Sequence, residues 1–110
     1  MPSSPEDKRF MQEGAAQAAA LLRSVGNESR LLVLCLLIEH GELTVGELLA
    51  QVPLSQSALS QHLARMRDEG LVSFRRTSQT LHYRIANPDV ARLIATLKAI
   101  FCPPSKDSTS

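Results

Sequence analysis

TVGELLAQVPLSQSALSQHLARMRDEG, residues 44–70, reads as two short helices joined by a tight break. Thr44 is a hydroxyl N-cap with Glu47 three residues on, the spacing of a capping box. Leu48 and Leu49 supply the buried face of this first helix, which ends near Gln51. Pro53 stops it, because proline lacks the amide donor and disfavours helix in the residue before it. Ser55 is placed to cap the second helix, and Gly70 lies just past its end, where a glycine closes a helix.

The faces of the second helix differ in chemistry. Leu59, Leu63 and Met66 recur at i, i+4, i+7 and share one side. Ser57, Ser60, Gln61 and Arg65 point roughly the other way, with Gln56 in the first turn. A face that is merely wetted usually carries Glu and Lys. Amides, hydroxyls and a guanidinium instead suit base edges and phosphates in a major groove, which admits one helix. The pattern therefore predicts a helix-turn-helix that reads DNA. The bland alternative is a polar helix that happens to be poor in Glu and Lys.

The distribution of charge points the same way. The net charge is only +1 over 110 residues. Residues 1–53 hold four basic and seven acidic side chains, a net of −3. Residues 54–84 hold Arg65, Arg67, Arg75, Arg76 and Arg84 against Asp68 and Glu69, a net of +3. The remainder holds three basic and two acidic, a net of +1. Positive charge is thus concentrated where a phosphate backbone would meet it. The hydrophobic fraction of 44% is enough for one small core, built from Leu, Ala, Val and Ile because only 4% is aromatic. No 18-residue apolar run appears, and MPSSPEDKRF lacks the apolar centre of a signal peptide, so a cytoplasmic protein is expected. In that reducing setting, two cysteines are not expected to form a permanent staple.

The rest of the chain surrounds this motif. Residues 1–5 and 103–110 read as disordered tails around one domain at 6–102. A helix is expected from Glu6 to Ser24, and its Ala-rich second half is apolar nearly all round, which asks for a partner helix. Asn27 or Ser29 caps the next helix, Glu28 to Glu39, whose middle LLVLCLLI is apolar on every face. Gly41 ends it, and a strand-like Glu42-Leu43 leads into Thr44. After Gly70 the period changes from 3.6 to 2. Residues 71–76 and 81–85 alternate around the polar turn Thr77-Ser78-Gln79-Thr80, which makes a β-hairpin wing. Arg76 and Gln79 lie at its tip, with Arg75 and Arg84 on its arms, suited to phosphates or a narrow minor groove. Asn87-Pro88 then opens a last helix to about Phe101. The fold class expected is mainly α with a β-hairpin wing.

LSQSALSQHLARMRDEGLVSFRR at 54–76, followed by LHYRI at 81–85, resembles the ArsR/SmtB family of winged helix-turn-helix repressors. The likeness covers roughly residues 15–103. It implies a homodimer built through the first and last helices, bound to double-stranded operator DNA and released by a chemical signal. The metal ligands of such proteins have no counterpart here. The first helix of the motif has no Cys-x-Cys, Asp89 is followed by no His, and His40, His62 and His82 have no ligand spacing. No metal or other cofactor is expected.

Cys35 lies in the central helix and Cys102 at the end of the last. This placement resembles the branch of the family represented by BigR, SqrR and HlyU. It implies a thiol pair that answers reactive sulfur species or oxidants through a disulfide or polysulfide bridge. From residues alone, Cys35 between Leu34 and Leu36 reads as an inert core thiol, and it is the resemblance that implies the redox role. Two further alternatives stay open. One is a repressor with structural cysteines that responds to a metal or other inducer, and the other is an interaction module that does not bind DNA. No nucleophile–base pair or phosphate-cradling glycine loop is present, so no enzyme is expected.

Overall fold

The computed structural model describes residues 5–101. The tails expected at 1–5 and 103–110 therefore lie outside the described residues, Pro5 excepted, and so does Cys102. Pro5 is not tail. It opens helix α1 (Pro5–Arg9), a position where the missing amide donor costs nothing. The single helix expected from Glu6 to Ser24 carries a π-helical turn at Phe10–Gly14 before α2 (Ala15–Val25). There the Ala15 amide donates to the Phe10 carbonyl five residues back. No side chain between Pro5 and Gly14 is buried, so no tertiary packing holds this stretch to regular α geometry.

Helix α3 (Glu28–His40) begins at Asn27, whose Oδ1 accepts from the Arg30 amide at 3.1 Å. It stops at Gly41, with φ of +83°, a conformation that L side chains rarely adopt. Strand β1 (Leu43–Thr44) leads into α4 (Val45–Leu49) and α5 (Gln56–Asp68). Strands β2 (Val72–Thr77) and β3 (Thr80–Ile85) form the hairpin, and α6 (Pro88–Phe101) follows, capped by Asn87. The fold is mostly helical with a small antiparallel hairpin, as the alternation of periods predicts.

The sheet order is β1-β3-β2, all antiparallel. Thr77 pairs with Thr80, so the turn is the two residues Ser78-Gln79 rather than the four expected. Ser78 takes the positive φ (+56°) that such tight hairpins require. Leu43 pairs with Tyr83, which ties the wing to the start of the helix-turn-helix.

The core gathers one face of every helix from α3 onward. Leu34 and Leu37, Leu48, Leu59, Leu63 and Met66, and Val90 and Ile94 are all buried in it. Helix α3 is not sealed all round as expected: Leu31, Leu32, Cys35 and Ile38 remain half-buried along one side. Among the described residues, the exposed large hydrophobics are Phe10, Met11, Leu22, Ile100 and Phe101. All of them lie on the first helical segment or on α6, the two segments with the most unpartnered apolar surface.

Candidate nucleic-acid interface

The helix-turn-helix motif is held by its caps. Thr44 Oγ1 accepts from the Glu47 amide at 3.1 Å, and Glu47 Oε1 accepts from the Thr44 amide at 2.8 Å. This reciprocal box starts α4 at a fixed residue. Ser55 Oγ accepts from the Ala58 amide at 3.1 Å and starts α5. At the far end, the Glu69 amide returns to the Arg65 carbonyl and Gly70 turns the chain at φ +79°. Between these stops, Leu59, Leu63 and Met66 are all but sealed from solvent, at 0%, 1% and 0% exposure. Gln56, Ser57, Ser60, Gln61 and Arg65 are all exposed on the rest of the helix. The division into faces matches the sequence arithmetic.

Four of these five side chains line two clefts. Gln56 and Ser60 share one of about 340 Å³ with Thr44, Val45 and Gly46 and with Gln79 from the wing tip. Gln61 and Arg65 line another of about 490 Å³ with Arg30, His62, Ala64 and Asp68. Ser57 and Arg76 are exposed but line neither. Arg76 and Gln79 are exposed at the wing tip, as expected.

Arg75 is placed differently from Arg76 and Arg84, which are exposed on the wing. Its Nε lies 2.9 Å and 3.1 Å from the two carboxylate oxygens of Glu42, and its Nη1 donates to Thr77 Oγ1 at 3.1 Å. The guanidinium holds the Glu42 carboxyl below its ordinary range, and the carboxylate raises Arg75 in turn. Sequence reasoning missed Glu42, which stands 33 residues away and meets Arg75 only because β1 joins the sheet. It also missed Arg67, whose guanidinium sits 5.2 Å over the Phe74 ring, itself 5.4 Å from the Tyr83 ring. That stack joins the end of α5 to the wing.

Cys35 is half-buried on α3 against the core. One turn further along, Glu39 Oε1 lies 3.9 Å from Lys98 Nζ, so the ends of α3 and α6 meet. Position 102 follows Lys98 by four residues in the sequence. Among the described residues, no three His, Cys, Asp or Glu side chains gather as metal ligands, and no helix is long and apolar enough to cross a membrane.

Residues 27–73 match the family model described as bacterial regulatory protein, arsR family. The chain is 50% identical over 93 residues to the HTH-type transcriptional regulator YgaV of Escherichia coli, covering 84% of this chain and 94% of that one. It is 41% identical over 102 residues to the transcriptional activator HlyU of Vibrio cholerae, covering 93% and 94%. Its fold matches the crystal structure of the transcriptional repressor BigR from Xylella fastidiosa with a TM-score of 0.77, at 37% identity over 86% of this chain and 96% of that one. These relatives are regulators rather than enzymes, and they share the winged helix-turn-helix described above. The chain belongs to the ArsR family of bacterial transcriptional regulators, whose members bind operator DNA.

Proposed function

We propose that this chain is a homodimeric operator-binding repressor that lets go of DNA when Cys35 and Cys102 become linked. In this reading Gln56, Ser57, Ser60, Gln61 and Arg65 face the major groove, while Arg76 and Gln79 at the wing tip meet the flanking backbone. The observation that carries the DNA half is the exposure of all five polar residues of α5 opposite a sealed apolar face. Arg75 is assigned a smaller part than Arg76, because Glu42 already neutralises it. The dimer is supported by exposed Leu22, Ile100 and Phe101 on α2 and α6.

The release half rests on Cys35, on the meeting of α3 and α6 at Glu39 and Lys98, and on the likeness to HlyU and BigR. One thiolate attacks the outer sulfur of a persulfide RSSH, taking that sulfur and expelling RS⁻. The second thiolate attacks the inner sulfur of the new protein persulfide and expels HS⁻, leaving a disulfide. The sulfane sulfur is the oxidant and leaves reduced. A bridge pulls α6 against α3, shifts the dimer faces and alters the spacing of the two reading helices, to which groove docking is sensitive.

The DNA half is tested by titrating protein variants against a duplex selected from a random pool by the wild type. Gln61→Ala is expected to weaken that duplex by about 1–3 kcal/mol and to relax sequence preference. Arg76→Ala is expected to weaken all duplexes alike and to reduce the salt slope by about one. Unchanged affinity and preference in Gln61→Ala would show that another face reads the DNA.

A further inference from the structure

Arg30 stands in the first turn of α3, just ahead of the apolar run of that helix. Its side chain is only 12% exposed, which for an arginine requires partners. Nη1 donates to the Ser24 carbonyl at 2.9 Å. Ser24 lies in the last turn of α2, where no helix amide remains to serve its carbonyl. On the other side, Nε donates to His62 Nδ1 at 3.5 Å, and Nη1 lies 3.9 Å from Glu69 Oε1. His62 is in α5 and Glu69 is its C-cap. They are seven residues apart, two turns along one side of the helix, or about 10 Å.

A helix held at one point pivots about it, whereas two contacts two turns apart also set its direction. The guanidinium suits this because its donors form a rigid planar fork. The gripped side borders the reading face: Arg30 and His62 line the same cleft as Gln61 and Arg65. We propose that Arg30 is a positioning residue for DNA reading, which, anchored on the end of α2, fixes the direction in which α5 presents Gln61 and Arg65 to the duplex. The proposal rests on α5 being the reading helix. It adds a route by which movement of α2, which carries exposed Leu22, reaches that helix.

The test compares affinity for the duplex selected by the wild type with affinity for the same duplex carrying scrambled half-sites, over a range of salt. Wild type and Gln61→Ala serve as controls: a loss of selectivity in Gln61→Ala establishes reading by α5 independently of Arg30. Arg30→Gln is expected to lower the ratio of the two affinities at least tenfold with an unchanged salt slope. Arg30→Lys, which keeps a donor for Ser24, is expected to recover part of that ratio. A purely structural role lowers both affinities in proportion, through the folded fraction, and leaves the ratio intact; that result would overturn the proposal. So would a loss on both duplexes with the slope reduced by about one, the mark of a phosphate contact. If Arg30→Gln does not fold, the pair His62→Leu and Glu69→Gln removes the grip from the α5 side. A tenfold loss of ratio in that variant supports the proposal, and a ratio within twofold of wild type defeats it.

Discussion

Four side chains fix where helices α3, α4 and α5 begin. Thr44, Glu47, Ser55 and Asn27 act as caps because a cap and its amide lie within one turn, so spacing alone reveals them. Arg75 looked like Arg76 in the sequence, yet the fold delivers Glu42 to one and not to the other. Arg75→Ala is therefore expected to change the salt slope of DNA binding less than Arg76→Ala does, measured by titration at several salt concentrations. An equal reduction by both would show that DNA draws Arg75 away from Glu42. The contact has a defined pH window. Glu42 is depressed in the folded chain, so whatever stability it lends is complete above its ordinary value of 4.5 and is lost as pH falls through the lower folded value. Thermal scans across neutral pH should show no wing transition from this pair.

At the level of elements, the switch from a period of 3.6 to one of 2 at Gly70 located the wing, because burial on one side imposes that pattern in helix and strand alike. The π turn at Phe10–Gly14 left no such trace, since nothing is buried along it to impose a period. The order β1-β3-β2 was also hidden: Leu43 joins the sheet by pairing with Tyr83, a contact that no local pattern announces. The junction between α5 and the wing depends on backbone conformation rather than on space. A Cβ on Gly70 would meet nothing within 4 Å, but its φ is +79°. Gly70→Ala is thus expected to cost about 1–2 kcal/mol from strain alone. Leu63→Ala, at 1% exposure, is expected to cost about 2–5 kcal/mol by opening a cavity beneath the polar face of α5. Urea unfolding midpoints measure both, and a larger loss at Gly70 than at Leu63 would invert the account of what holds α5.

For the whole molecule, excess apolar surface on the first and last helices was readable from Ala15–Leu22 and from the last helix, since a single small core cannot cover both. Which residues stay uncovered needed the fold: Leu97 is half-buried on the core, while Ile100 and Phe101 are 61% and 75% exposed. Leu97→Glu and Phe101→Glu are both expected to weaken the dimer and operator binding together, with Leu97→Glu also costing fold stability. Sedimentation against concentration checks this, and a tight monomeric binder of a non-palindromic site would refute it. In the proposed dimer the two α5 helices should read half-sites about 10 base pairs apart in an imperfect palindrome. The proposed thiol switch acts through that geometry, and a titration decides whether it does. Reduced and polysulfide-treated protein are each titrated with the selected duplex, beside Cys35→Ser and Cys102→Ser, with the mass of every sample recorded. The expected result is an intramolecular link between Cys35 and Cys102 and at least tenfold weaker binding in the treated wild type, with both serine variants binding as the reduced protein does. A linked protein that holds its duplex as tightly as before would rule the switch out.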